Sequence, residues 1–315
     1  MKLEILQRHC VRPDAHAFYG DVIAGRDGDM EARTRIAGAL CWAAFSSPAG
    51  IAPIWDLFTA GWFADAISDD AADALAGAAE AELPSAFWSR FAAVLDGPAE
   101  GYNAASITAA VASLGGALAP EQYALAEQEA LRWPGCADVA TRPVPGHVEL
   151  RTLAAAPEGS LGRTLHDLLV ANGYDLEVLD REAISLSALP PALRYTNTRI
   201  LQMHDVWHLV AGYTTSASHE IAISAFQLAQ FGHGYSAMFL ATVFTMAGLE
   251  RPEGFPVLGL LVAEAWRHGR SAPPLMAVPW ETHWERSIEE LRGELGLEPY
   301  QSMLPANLFE LAASA

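Results

Sequence analysis

Two histidines and two carboxylates stand at spacings that suit a metal site. His204, Asp205 and His208 lie in a segment typical of helix, and Glu220 follows His208 after eleven residues. At about 100° per residue, His208 lies about 40° from His204 around a helix and Asp205 about 100° from it. We therefore expect the first three side chains to share one helix face.

The segment between His208 and Glu220 predicts a turn between two helices. Gly212 and the polar run 214–218 would end one helix and cap the next, which we expect to begin near Ser218. A helical hairpin of this kind would bring Glu220 beside the two histidines. Two imidazoles with one or two carboxylates suit zinc, or iron or manganese where coordination positions remain open.

Spacing alone leaves a second interpretation open, in which the histidines are ordinary polar residues of a partly exposed helix and Asp205 pairs with one of them. The pattern is looser than the metalloprotease motif. Asp205 stands where that motif has its catalytic glutamate, so a protease is disfavoured. A surface or capping role is favoured for the remaining candidate histidines. These are His166, His219, His233, His268 and His283.

The composition predicts an all-α protein. Of 315 residues, 51% are hydrophobic, which is enough for one large domain or a domain with an extension. Alanine, leucine and glutamate abound, β-branched residues are sparse, and no alternating apolar runs stand between hairpin signals. We therefore expect a multi-helix fold that carries the metal site on a helical hairpin.

Proline and glycine mark one candidate domain boundary. Residues 30–131 are typical of Ala-rich helices and contain no recognisable chemical motif. We expect the tryptophans in and just after this region to fill the core or an interface; they are Trp55, Trp62, Trp88 and Trp133. The stretch from Pro134 to Gly146 then interrupts helix. We predict an N-terminal helical region of unknown role, residues 1–145, and a second helical domain, residues 146–315.

Charge and cysteine usage exclude several classes of function. The formal net charge of −19 disfavours nucleic acid and generic attraction to anionic lipid headgroups. Cys10, Cys41 and Cys136 are odd in number and widely spaced, which favours reduced thiols over disulfides. The first residues resemble neither a signal peptide nor a transit peptide. We therefore expect a cytoplasmic location.

Residues 221–249 contain no charged side chain, a length that would suffice to span a bilayer. Two buried helices separated by a turn at residues 232–234 are the better interpretation. The second of them is rich in methionine and phenylalanine, so it could line a pocket for an isoprenoid tail. The same residues would also serve as ordinary core.

Four separate blocks of the chain resemble the coenzyme Q biosynthesis protein 4 family, over roughly residues 145–300. They are His204-Asp205-x-x-His208 with Glu220; Pro157–Arg163, which reads Pro-Glu-Gly-Ser-Leu-Gly-Arg; Gln230, ten residues after Glu220; and the runs 269–273, 281–285 and 291–296. Around its first histidine the family has the sequence Arg-Tyr-Arg-Glu-x-His-Asp. Arg199 corresponds to the first arginine of this sequence. The next three positions differ, and His219 stands where the family tends to have glycine, so we expect different contacts to the substrate headgroup.

The resemblance implies a role in ubiquinone biosynthesis. The implied activity is a metal-dependent oxidative decarboxylation at ring carbon one of a prenylated 4-hydroxybenzoate-derived intermediate. The resemblance implies the same four residues as metal ligands and as catalytic residues, namely His204, Asp205, His208 and Glu220. Those that would contact the substrate are Arg199 and Gln230. Zinc is the first candidate, and iron or manganese are alternatives because zinc has no redox chemistry. The resemblance also implies contacts with other ubiquinone biosynthesis proteins and peripheral attachment at the inner face of the cytoplasmic membrane.

Two other functions stay open. The first is a non-enzymatic, lipid-binding scaffold that organises ubiquinone biosynthesis enzymes, with the metal structural. The second is a metal-dependent phosphohydrolase, which is weakened because the only arginines near the motif that could bind phosphate are Arg194 and Arg199. Apolar helices also make a homodimer an alternative to a monomer.

Overall fold

The computed structural model describes residues 2–177, 181–182 and 186–313. Within these ranges the secondary structure is helical and no strand is present, which confirms the all-α prediction. The α-helices are α1 (Lys2–His9), α2 (Ala15–Arg26), α3 (Met30–Phe45), α4 (Ile51–Phe63), α5 (Asp69–Gly77), α6 (Ser85–Asp96), α7 (Ala104–Gly115), α8 (Pro120–Ala130), α9 (Leu150–Ala154), α10 (Leu161–Asn172), α11 (Pro191–Ala211), α12 (Ala217–Phe231), α13 (Gly234–Leu249), α14 (Phe255–Ser271), α15 (Ile288–Leu295) and α16 (Leu308–Ala313). Short 3₁₀ turns occur at Pro48–Gly50, Leu186–Ala188, Pro252–Gly254, Leu275–Ala277 and Trp280–Thr282.

The uncharged run 221–249 forms two helices, as the sequence predicts. Helix α12 ends at Phe231, and Gly232 follows in the left-handed conformation with φ of +61°. A Cβ atom at Gly232 would lie 2.2 Å from Nε1 of Trp133, so the turn needs glycine for both its conformation and its packing. No helix in the described ranges combines the length and apolar character needed to cross a bilayer.

A layer of long helices forms the core. Helices α12 and α14 pack against each other, α3 packs on α13, and α4 packs on α14. Trp55 of α4 lies 5.6 Å from Phe244 of α13 and 6.1 Å from Trp266 of α14, measured between ring centroids. The tryptophan predicted as a core filler therefore joins N-terminal helices to the later ones.

The core runs without a break across the boundary predicted at residue 145. Gly259 of α14 lets Trp62 of α4 approach so closely that a Cβ atom at Gly259 would lie 2.2 Å from the indole ring. Arg33 of α3 donates a 2.6 Å hydrogen bond to the carbonyl of Pro252. The division into residues 1–145 and 146–315 stays a prediction, and these contacts show that the two parts pack together closely.

The three cysteines are unbonded thiols, as the sequence predicts. Cys41 is completely buried, and burial raises the pKa of its thiol to about 12. Burial also raises the pKa of Cys136 to about 12. Because thiolates rather than thiols attack substrates, neither residue is suited to act as a nucleophile.

Candidate metal centre

Helix α11 and the first turn of α12 carry the candidate ligands. Helix α11 spans 21 residues and ends at Gly212, whose φ of +83° is left-handed. Ser216 caps α12 by accepting a 3.4 Å hydrogen bond from the amide of His219. The hairpin forms as the sequence predicts, but α12 begins at Ala217 because Ser216 is its cap, slightly before the expected start near Ser218.

This hairpin brings the four predicted residues together. His204 Nδ1 lies 3.2 Å from Oδ1 of Asp205, and His204 Nε2 lies 3.8 Å from Oε2 of Glu220. His208 Nε2 lies 3.4 Å from Oε1 of Glu220. One possible ligand atom from each of His204, Asp205 and His208 lies within 4.8 Å of the other two. Helical spacing thus predicted the convergence, while metal binding by these residues stays a prediction.

Exposure to solvent rises across the cluster. The side chain of His208 is 0% exposed, that of Asp205 13%, that of His204 29% and that of Glu220 40%. The cluster therefore has a closed side at His208 and an open side at Glu220.

His208 has unused hydrogen-bonding capacity. Within the described part of the chain, neither of its buried ring nitrogens has a hydrogen-bond partner, and the carboxylate of Glu220 lies 3.4 Å from Nε2 as an ion-pair neighbour. Leaving a buried polar atom unsatisfied costs about 1–3 kcal/mol. A metal ligated by one nitrogen would remove part of this cost, so the residues present fit a divalent cation.

The charges around the site favour a cation. Burial opposes the charged form of His204, but the hydrogen bond with Asp205 and the charges of Glu220 and Asp205 outweigh burial and raise its pKa. Burial likewise opposes the carboxylate form of Glu220, and the neighbouring His208 and His204 outweigh it and lower its pKa. Glu220 is therefore a carboxylate at neutral pH.

Two histidines that ranked lower in the sequence lie close to the site. His219 Nδ1 accepts a 2.8 Å hydrogen bond from the amide of Thr214, so this buried ring closes the turn between α11 and α12. His233 Nδ1 lies 2.9 Å from Oγ of Ser236 in the first turn of α13. Burial, and then the charge of His204, lower the pKa of His233 to about 3. His233 is therefore a neutral imidazole.

Arg199 and Gln230 contact protein groups. Arg199, only 4% exposed, forms an ion pair with Glu281 and donates a 3.2 Å hydrogen bond to the carbonyl of Val278. Gln230 donates to the carbonyl of Gly269 at 2.6 Å and accepts from the amide of Leu275 at 3.0 Å. These contacts fasten residues 269–281 to α11 and α12. A substrate contact by either residue stays a prediction.

The structure adds one neighbour that the sequence analysis missed. Tyr235 of α13 lies near enough to Glu220 that the carboxylate charge, after burial, contributes to raising the tyrosine pKa. The side chain of Tyr235 also hydrogen-bonds to Thr108 of α7. No local motif marks these two residues, because the contact joins helices that are far apart in the sequence.

Comparison with known proteins finds a family match over the segment that contains the candidate ligands. Residues 104–301 match the family model described as "Coenzyme Q (ubiquinone) biosynthesis protein Coq4". This is more than half of the chain. The chain belongs to this family. The matched segment of this Coq4-family chain contains all four candidate ligands, and it begins upstream of the boundary predicted at residue 145.

Curated relatives and a solved structure agree with the assignment. The chain is 31% identical over 152 residues to the mitochondrial ubiquinone biosynthesis protein coq4 of Talaromyces stipitatus, covering 48% of this chain and 50% of the relative. It is 29% identical over 152 residues to the mitochondrial COQ4 homologue of Rattus norvegicus, covering 48% and 56%. The chain thus spans about half the length of the curated relatives it matches.

One solved structure that matches is a protein of Nostoc punctiforme, described as a "Putative ubiquinone biosynthesis protein". The TM-score is 0.51 and the sequences are 28% identical. The match covers 67% of this Coq4-family chain and 97% of the Nostoc chain. A substantial part of this chain therefore lies outside the match.

Proposed function

We propose that this protein acts in ubiquinone biosynthesis as a metal-dependent enzyme that replaces the carboxylate at ring carbon one of a prenylated 4-hydroxybenzoate-derived intermediate by hydroxyl. Membership of the Coq4 family supports the pathway. The metal-dependent part is supported by His208, a buried imidazole that has no hydrogen-bond partner among the described residues and lies in a cluster with the carboxylates of Asp205 and Glu220.

The ligand set would consist of His204, Asp205, His208 and Glu220. When bound, the metal would supply Lewis acidity towards the ring carboxylate and the phenolic oxygen. The carboxylate would leave as carbon dioxide, and replacing it by hydroxyl removes two electrons from the ring carbon. The proposal therefore includes dioxygen and water as co-substrates, with dioxygen accepting the two electrons and leaving as hydrogen peroxide. The two imidazoles and no thiolate favour a site with open positions over a closed structural one.

The chain's own side chains would hold and orient the substrate. Glu220 lies on the open side of the cluster, and the aromatic ring of Tyr235 stands nearby. On α13 the half-buried rings of Tyr235 and Phe239 stack with centroids 6.1 Å apart. This surface continues to the half-buried Met238, and it would accept an apolar tail beside the ring site.

The apolar tail of the proposed substrate also implies a contact between the protein and a membrane. A prenylated intermediate is drawn from a membrane, so we include in the proposal a peripheral membrane contact and transfer of substrate to other ubiquinone biosynthesis proteins. A lipid-presenting scaffold is the second candidate function, and the same half-buried surface of α13 favours it. The two candidates differ in whether the metal site is needed for turnover.

Elemental analysis of purified protein tests the proposal. Wild type is expected to carry about one equivalent of metal, and His208→Ala and Glu220→Ala are expected to lose it while remaining folded, because an open functional site tolerates ligand loss better than a structural one. His16→Ala is the matched control, since His16 is exposed on α2. It should keep its metal.

Turnover of the prenylated 4-hydroxybenzoate-derived substrate under dioxygen is then compared among the same four proteins. We expect product from wild type and the control alone. Wild type without metal would refute the metalloenzyme, and full pathway activity in the metal-free variants would favour the scaffold.

A further inference from the structure

The C-terminal residues fold back over the helix that carries Glu220. Residues 302–313, here called the C-terminal strap, follow the family-matched segment, which ends at residue 301. Within the strap, α16 packs against α12. The strap therefore contacts the metal-site hairpin although it lies about 90 residues further along the chain.

Hydrogen bonds join the strap to the first turn of α12. The hydroxyls of Ser216 and Ser218 both donate to the carbonyl of Ala306. The amide of Ala217 donates a 2.9 Å hydrogen bond to Oε1 of Glu310. Ala217 is the first residue of α12, and amides in a first helical turn have no partner within their own helix. Glu310 supplies the missing acceptor.

The other end of the strap is fixed to α14. The hydroxyl of Ser302 donates a 2.5 Å hydrogen bond to Glu264, and the amide of Met303 donates a 3.2 Å hydrogen bond to the same carboxylate. Because α14 packs on α12, the strap is held at both ends against one unit of the core.

Glu310 and Glu220 act on the same helical turn. Glu220 lies three residues after Ala217, so the two positions are neighbours on one face of α12. A carboxylate at a helix N-terminus is stabilised by the exposed amides and the helix dipole. By restraining the amide of Ala217, Glu310 restrains the turn from which the Glu220 side chain extends.

We propose that the C-terminal strap sets the affinity of the metal centre, with Glu310 as a positioning residue that holds the first turn of α12 and so aims Glu220. The proposal rests on the proposed function only in taking the four-residue cluster as a metal site. The effect of Glu310 on Glu220 passes through the backbone of residues 217–220, because Glu310 accepts the hydrogen bond of the Ala217 amide.

The test is a titration of the metal-free, full-length protein with Co²⁺, followed by the visible absorption of the bound ion. Loss of a restraint at a helix N-terminus is expected to weaken Co²⁺ affinity by about two- to fivefold in Glu310→Ala. Glu310→Gln keeps an oxygen acceptor for the Ala217 amide and should recover most of that loss. Ser218→Ala, which removes one hydroxyl held by Ala306, should weaken affinity in the same direction.

A matched control separates positioning from general stability. Asp29 caps α3 by accepting from the amides of Glu31 and Ala32, so Asp29→Ala removes a helix-capping carboxylate away from the cluster. It should lower the melting temperature and leave Co²⁺ affinity unchanged.

The outcomes distinguish failure of the strap proposal from failure of the metal site. Wild-type affinity in both Glu310→Ala and Ser218→Ala overturns the strap proposal and leaves the metal site intact. A wild-type protein that binds no Co²⁺ overturns both. Equal weakening in Asp29→Ala would reduce the strap to an ordinary stabilising contact and would also overturn it.

Discussion

At the scale of single residues, the proposed metal would compete with protons for the same histidine nitrogen atoms. The pKa of His204 is raised, so this ring holds its proton to higher pH than an ordinary histidine. The pKa of Glu220 is lowered, so its carboxylate survives to lower pH than an ordinary glutamate. The lower pH limit of the proposed metal binding would therefore be set mainly by protonation of His204 rather than of Glu220.

We expect metal affinity to fall as the pH drops through the raised pKa of His204, by up to about tenfold per pH unit for the one proton that must leave. The measurement is Co²⁺ affinity between pH 8 and pH 5.5. Glu220 should add no pH dependence in this range because its pKa lies below it. An affinity that does not change with pH would contradict the assignment of His204 as a ligand.

Stability of the metal-free protein should move in the opposite direction. A raised histidine pKa stabilises the fold fully below the ordinary value near 6.5, and this contribution is lost as the pH rises through the folded-state pKa. A lowered carboxylate pKa stabilises the fold above its ordinary value near 4.5, and this contribution is lost on further acidification. Urea unfolding of metal-free wild type should therefore show the His204 contribution at pH 5.5 and its loss at alkaline pH, and His204→Ala should lack this change.

At the scale of secondary-structure elements, helix-capping residues in the sequence predicted the hairpin of α11 and α12. The contacts between residues far apart in the sequence were not predicted. Gly212 and the polar residues before Glu220 were enough to place a helix end and a helix start, because caps depend on neighbouring residues. The contacts of Gln230 and Glu310 join positions 39 and 93 residues apart. No periodic pattern in the sequence predicts contacts over such separations. The sequence therefore suggested Gln230 as a substrate contact but did not predict its hydrogen bonds to the backbone.

The turn between α12 and α13 gives a test at this scale. Gly232→Ala places a Cβ atom on a left-handed residue and against the indole of Trp133, so we expect the free energy of unfolding to fall by about 2 kcal/mol or more. Gly234→Ala is the matched control, since a Cβ atom there meets nothing within 4 Å. Urea denaturation measures both. Equal stability of the two variants would contradict the tight packing of this turn.

At the scale of the whole molecule, one core connects the N-terminal helices with the family-matched segment. The composition and the helix-breaking proline and glycine residues suggested a domain boundary near residue 145. Packing is decided by side-chain contacts that composition does not reveal, such as those of Trp55 with Phe244 and Trp266.

We expect the chain to unfold in a single transition. Far-UV circular dichroism and tryptophan fluorescence should give coincident urea curves, because the helices on both sides of the boundary share aromatic contacts. Two separated transitions would instead support independent domains at residues 1–145 and 146–315.

The rise in exposure from His208 to Glu220 would also have a kinetic consequence for the proposed metal binding. Glu220 is half-exposed and His208 is buried, so an ion arriving from solvent would meet the carboxylate of Glu220 before the imidazole of His208. Association would then begin as an outer encounter with a carboxylate and finish by exchanging water for nitrogen. Departure would follow the reverse order, so a chelator would intercept the ion at Glu220, and the side chain at position 220 would govern the rate of exchange as well as its equilibrium.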